Sequence, residues 1–281
     1  MTSASVRELL RLPAGPVDLS TLDSRGTPGF DGGKKEAKEE LPELGPELAD
    51  LQEKLFAEGY TDGTRRVLLV LQGMDTSGKG GVLSHVVGLL DPSGMHLKSF
   101  KKPTEEELAH DFLWRIERDV PAAGQVGIFD RSHYEDVLVV KVHQLAPAAE
   151  VERRYGAIND FEKRLAETGT TIVKCFLHIS KETQKERLLA RLDDPTKQWK
   201  FKPGDVDERG FWDEYQAAYT TALERCNTDV APWYVIPSGR KWYRNWAIGQ
   251  LLLEHLRGLD LDWPAPDYDV AEQRARLEKE Q

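Results

Sequence analysis

Residues 73–81 read GMDTSGKGG and follow the apolar run VLLVLQ. Gly73, Gly78 and Lys79 fit GxxxxGK, the phosphate loop (P-loop) whose backbone N–H groups wrap phosphate while its lysine reaches toward it. Gly80 and Gly81 extend the flexible stretch. Two features depart from the common form. Residue 80 is glycine where a Ser or Thr hydroxyl usually meets Mg²⁺, and Asp75 puts a carboxylate inside the loop. Two like unit charges about 4 Å apart repel by roughly 4 kcal/mol at an effective dielectric near 20. A carboxylate beside phosphate therefore calls for a cation between them. Asp75 reads as a metal-side or acceptor-activating carboxylate that replaces the missing hydroxyl; the alternative is a turn aspartate bonded to its own backbone.

A second carboxylate, Asp130, ends the apolar run GIF in GIFDRSHYEDVLVV. That is where a P-loop fold places the acid near its Mg²⁺. Arg131 follows and can offer a planar fork of donors to phosphate oxygens, or it can pair with Glu135 or Asp136. A concentrated positive segment lies at KETQKERLLARLDDPTKQWKFK, residues 181–202, with seven basic against four acidic side chains. Arg187 and Arg191 are four apart and share a helix face, and Asp194 before Pro195 marks the helix end. With Lys197 and Lys200 beyond it, the segment reads either as a lid over a polyanion or as a solvated charged helix. Lys98, Lys101 and Lys102 in KSFKKPTEEE add a further basic cluster, and Arg115 in FLWRIERD reads either as an addition to it or as a mid-helix surface charge.

The elements that must position these groups alternate. RRVLLVLQ (65–72), MHLKSF (95–100), VGIF (126–129), TIVKCFLHI (171–179) and PWYVI (232–236) predict strands. Helices are predicted over PELADLQEKLFAEG from Pro46, over TEEELAHDFLWRIERDV with Thr104 and Glu107 in capping-box spacing, over AEVERRYGAINDFEKRLAE and over DERGFWDEYQAAYTTALERC. Continuous apolar strands between helices indicate an α/β fold, a parallel sheet covered on both faces. Ligands of such sheets gather at the carboxyl ends of the strands, so Asp75 and Asp130 are expected to converge. Residues 1–45, rich in proline and mixed charge, predict an arm draped over the domain or partly extended or disordered. Residues 46–265 predict one main domain with its lid around 181–207, and 266–281 a C-terminal tail.

The chain has 281 residues, 40% hydrophobic, and a formal charge of −10. That balance argues against coating nucleic acid or an anionic membrane, so an anionic ligand must meet a local basic patch. No stretch has the length of a transmembrane helix and the start lacks the apolar core of a signal peptide, so a cytoplasmic location is expected. Cys175 and Cys226 have no paired spacing, and the histidines, His133 and His178 among them, show no metal-ligand pattern.

Taken together, GMDTSGKGG (73–81), KKPTEEE (101–107), FDRSHYEDVLV (129–139), RLDDPTKQWKFKPGD (191–205) and APWYVIPSGRKWYRNWA (231–247) resemble the polyphosphate kinase 2 family, over roughly residues 30 to 265. The resemblance implies a P-loop kinase core with a helical lid. It also implies Mg²⁺-dependent phosphoryl transfer between inorganic polyphosphate and a nucleoside mono- or diphosphate: AMP, ADP or ATP, with guanine nucleotides also in view. A homo-oligomer is implied as well. In that frame Gly73, Gly78, Lys79 and Gly80 would cradle phosphate, with Lys101, Lys102, Lys197 and Lys200 as further phosphate contacts. Asp75 and Asp130 would hold Mg²⁺ and, with Glu135, orient the nucleotide. Arg131 would stabilise the transferring group while Arg187 and Arg191 engage phosphate from the lid. HYEDVLV is closer to the subgroup acting on AMP as well as ADP than to the one carrying WYNR there; the family often has Asn at the position of Asp130. The residues alone leave open an ATP-dependent kinase of a small metabolite. A guanine-reading NKxD motif, expected of a nucleotide switch, is not found.

Overall fold

The computed structural model describes residues 5–280. Five parallel strands form one sheet in the order β2-β3-β1-β4-β5, with β1 Arg66–Gln72, β2 Met95–Ser99, β3 Val126–Asp130, β4 Thr170–His178 and β5 Trp233–Pro237. β1 is central because its side chains are apolar on both faces. Val67, Leu69 and Leu71 enter one core with the helices Lys34–Glu43, Gly45–Gly59 and Lys241–Arg257, whereas Leu68 and Val70 enter a second core with Ala148–Glu167 and Trp212–Arg225. Truncating one of these fully buried leucines to alanine costs about 2–5 kcal/mol.

Parallel pairing sets the strand ends level. Leu71 lies opposite Asp130 across β1 and β3, and Ser99 opposite Asp130 across β2 and β3. The loop that leaves β1 therefore emerges beside the acid that ends β3, at the carboxyl edge where such sheets bind ligands.

Several elements differ from the sequence expectation, and the stretch DERGFWDEYQAAYTTALERC is divided at Phe211 between the helices Gly204–Gly210 and Trp212–Arg225. Residues 104–120 form two short helices, Glu105–Leu108 and Trp114–Glu117, instead of one. The Thr104–Glu107 capping box is present, but Asp111 accepts from the Leu113 amide at 3.0 Å and restarts the chain, an aspartate turn competing with helix. Within 1–45, residues expected as an arm include the helices Val6–Leu10 and Lys34–Glu43; Leu12 N donates to Trp233 O at 2.8 Å and Phe30 packs on Trp242 and Trp246. Their apolar anchors are few and widely spaced, which hides them from a periodicity reading. Toward the other end, the helix Val270–Leu277 buries no residue. Among the described residues, no helix is long and apolar enough to cross a membrane.

Candidate active site

The loop between β1 and the helix Lys79–His85 is held from behind. Gly78 has φ +110°, and a Cβ there would lie 1.7 Å from Arg244 Nη1, so only glycine lets the loop close on that guanidinium. A Cβ on Gly80 would meet nothing within 4 Å. The space usually filled by the hydroxyl after the lysine is therefore open. The hydroxyls that the loop does carry, Thr76 Oγ1 and Ser77 Oγ, are buried without a hydrogen-bond partner. Thr76 also sits at φ +61°, a conformation non-glycine residues adopt at a cost.

Lys79 Nζ donates to Gly73 O at 2.8 Å. Its pKa is lowered to about 8, mainly by loss of solvent and then by the neighbouring Arg131; Asp130, Glu135 and Asp75 pull the other way. Those three carboxylates and Arg131 thus surround one ammonium. Asp130 Oδ2 accepts from Ser99 Oγ at 3.2 Å, and Oδ1 is buried without a partner. Arg131, at φ +65°, reaches Glu135 at 3.4 Å, and that carboxylate is the main reason its pKa is raised. Both readings of Arg131 are compatible with this geometry, because nearly half of its side chain stays exposed beyond the pair.

From the helix Lys181–Asp193, Arg191 Nη1 lies 3.3 Å from Asp75 Oδ2 and 3.6 Å from Asp205 Oδ2, joining the loop to the helix Gly204–Gly210. Gln184 donates to Asp75 O at 3.2 Å. Arg187, expected to reach from a lid toward phosphate, instead donates to the backbone: to Thr76 O at 2.8 Å, to Ser77 O at 3.1 Å and to Ser238 O. Burial lowers its pKa to about 10.

Arg244 is the residue that sequence reading missed. It is buried, donates to Ser77 O at 3.3 Å and to Asn245 Oδ1, and its pKa falls to about 9 through burial and then through Arg187. Its signal was present in GRKWYRNW, a basic run directly after a buried strand. Arg115 is a second correction: it is buried rather than a surface charge. It donates to Lys101 O at 2.9 Å and lies 3.6 Å from Asp136. The side chains of Lys101, Lys102, Lys197 and Lys200 are exposed; Lys197 pairs with Asp194 and Lys200 lies over the Trp199 ring.

Two concavities lie near the loop; the loop itself lines the first, and Arg187, which bonds the loop's carbonyls, lines the second. One, of about 240 Å³, is lined by Gly73, Asp75, Arg131, Glu135, Asp205 and Glu208 together with Tyr215 and Tyr219. The other, of about 930 Å³, is lined by Arg25, Lys34, Lys38, Arg187, Arg240 and Lys241, with Glu186 as its carboxylate. The Lys241 pKa is lowered by burial and then by Arg187, Arg244, Lys197 and Arg191, so these cations crowd together. Among the described residues, no three His, Cys, Asp or Glu side chains form a ready-made metal cage. Two carboxylates, one with a buried unpartnered oxygen, still suit Mg²⁺, which commonly takes one or two carboxylates and completes its shell with phosphate and water.

A family model described as Polyphosphate kinase 2 matches residues 32–262. The AMP/ADP-polyphosphate phosphotransferase of Meiothermus ruber is 49% identical over 255 residues, 91% of this chain and 94% of the relative. The ADP-polyphosphate phosphotransferase of Rhodopseudomonas palustris is 38% identical over 88% of each chain. The crystal structure of Polyphosphate Kinase 2 from Arthrobacter aurescens TC1 superposes with a TM-score of 0.96 at 56% identity, covering 99% of this chain and 98% of that one.

Proposed function

This chain belongs to the polyphosphate kinase 2 family, and we propose from that premise how its residues divide the work. It is a polyphosphate-dependent nucleotide phosphotransferase, moving a phosphoryl group between inorganic polyphosphate and nucleoside mono- or diphosphates, AMP or ADP to ADP or ATP. The carrying observation is the opposite character of the two concavities beside one phosphate loop. Phosphate chains bring about one charge per unit and need a basic passage; the cleft of Arg25, Lys34, Lys38, Arg187, Arg240 and Lys241 is our donor side. The smaller concavity, with Asp75, Glu135 and the two tyrosines, is our acceptor side.

Phosphoryl transfer asks little covalent help of a protein; positioning and charge neutralisation dominate. An oxygen of the nucleotide's terminal phosphate attacks the end phosphorus of the chain, and the bridging P–O bond breaks to leave a chain one unit shorter. We assign Lys79 and the loop amides to the transferring group, with Arg131 on its flank. Arg187 and Arg244 hold the loop's carbonyls so that its amides face the substrate. Magnesium, when bound, supplies the neutralising charge that lets two phosphates approach, and Asp75 and Asp130 would hold it. Residues 181–207 act as the lid over a domain spanning 46–265, with Lys101, Lys102, Lys197 and Lys200 as outer contacts to phosphate. Our reading extends to guanine nucleotides as acceptors, to a homo-oligomer and to a cytoplasmic setting, where nucleotide substrates and two free, buried cysteines belong.

Incubation with long-chain polyphosphate, Mg²⁺ and either AMP or ADP is the test. Formation of ADP or ATP is expected. No product with either acceptor, or phosphorylation of a non-nucleotide from ATP with indifference to polyphosphate, rejects the reading.

A further inference from the structure

A fully buried ion pair lies behind the turn that carries Arg131 and Glu135. Lys174 on β4 and Glu162 on the helix Ala148–Glu167 meet at 2.6 Å, both within 1% of complete burial. The ammonium is saturated: its three donors reach Glu162 Oε2 at 2.6 Å, Cys226 O at 2.6 Å and Tyr134 Oη at 2.8 Å. The other carboxylate oxygen, Glu162 Oε1, accepts from Tyr134 Oη at 2.8 Å and faces His133 Nε2 at 3.1 Å. Both anchored residues, His133 and Tyr134, belong to the single helical turn His133–Asp136 that follows Arg131.

Buried ion pairs are weak sources of stability, because desolvating both charges offsets their attraction. Their better-attested use is to specify one arrangement over others. Here the arrangement to be specified is costly. Arg131 holds a left-handed backbone at φ +65°, and such conformations persist only where the surroundings over-determine them. The tether continues on the near side of the turn. Ser132 Oγ accepts from the Tyr134 amide at 3.2 Å. The Gln72 side chain, in the orientation that satisfies both its ends, donates to Glu135 Oε1 at 3.1 Å and accepts from Ser132 N at 3.0 Å. The path runs from the buried pair through Tyr134 to the Ser132 hydroxyl beside Arg131, and through Gln72 from the Ser132 amide to Glu135.

We propose that Glu162, Lys174 and Tyr134 are positioning residues, which hold the 131–136 turn so that Arg131 and Glu135 face the phosphate loop. This rests on the reading of Arg131 as a group that acts on the transferring phosphoryl. Removing Lys174 alone strands a buried carboxylate and threatens folding, so the informative variant is Tyr134→Phe, which deletes one oxygen and keeps the ring packed against Trp233.

The test is a double-mutant cycle of Tyr134→Phe with Arg131→Lys, read as initial rates with ADP and polyphosphate. Tyr134→Phe is expected to lower kcat roughly tenfold with little change in KM for polyphosphate, and to lower it less than about threefold when Arg131 is already lysine. Equal fold-losses in both backgrounds, or an unchanged kcat for Tyr134→Phe, overturn the inference while leaving the function intact. An unchanged kcat for Arg131→Lys instead removes the role given to Arg131, and the inference with it.

Discussion

Arg187 and Arg244 converge on one acceptor, the carbonyl oxygen of Ser77, at 3.1 and 3.3 Å. Each pKa is lowered by burial, and the charge of Arg187 lowers that of Arg244 further. Two crowded guanidinium groups without a hydrogen-bonded carboxylate among the described residues favour an arriving polyanion. Polyphosphate at 100 times its dissociation constant is expected to add about 2.7 kcal/mol to stability, or roughly 5 °C or more in Tm. Arg244→Met should shrink that gain, as read by thermal melts with and without polyphosphate.

Asp75→Asn and Asp130→Asn test the carboxylate pair. Each keeps side-chain shape and removes charge beside the transferring group. Each is expected to lower kcat/KM by about 10²-fold or more, the scale of losing one aimed electrostatic contact, while the Tm stays close to that of the parent. Chelation with EDTA is expected to abolish turnover in the parent protein and added Mg²⁺ to restore it. Near-normal rates in both variants would remove the metal argument.

The lowered pKa of Lys79 sets a pH limb. In the proposed mechanism its ammonium is the form that meets phosphate, and that form is lost as pH rises through about 8 in the free enzyme. kcat/KM is therefore expected to fall above pH 8, and kcat to fall at higher pH because bound polyanion favours the ammonium. Lys79→Arg, slower but permanently charged, should lose this limb. The same displacement acts on folding: the folded value lies below the unfolded one, so the cost is present below pH 8 and relieved as pH rises from about 8 toward 10.5. Denaturant titrations of parent and Lys79→Met across that window are the check.

Gly78→Ala and Gly80→Ala should part company. At 78 the new Cβ would strike Arg244 and adopt a positive φ, whereas at 80 it meets open space. A loss of about 1–3 kcal/mol is expected for the first and less than about 0.5 kcal/mol for the second, measured by urea unfolding alongside activity.

Lys34 and Lys38 line the outer part of the basic cleft. Their joint replacement by alanine is expected to raise KM for long polyphosphate several-fold at low salt and to leave tripolyphosphate nearly unchanged. The difference should fade at high ionic strength, since exposed charges are screened.

Much of this arrangement was legible beforehand, for physical reasons. β1, β3 and β4 announce themselves because both faces are buried and their runs are mostly apolar, and GMDTSGKGG can be read because the loop is one contiguous stretch. Asp75 and Asp130 could be paired in advance because parallel register brings the ends of neighbouring strands level. The contacts of Arg244 and Arg115 were not legible, although GRKWYRNW marked a basic run: each donates to a backbone carbonyl of another segment, a partner without side-chain identity. Arg187 faces the loop's carbonyls, a contact the sequence did not reveal because helical spacing gives a face but not what that face meets.

Arg191 grips Asp75 and Asp205 together. Bare acids there would repel one another and scavenge stray ions from solution. The guanidinium spares the two carboxylates that need and clasps the glycine loop to the helix Gly204–Gly210, so a change in either segment is felt by the other.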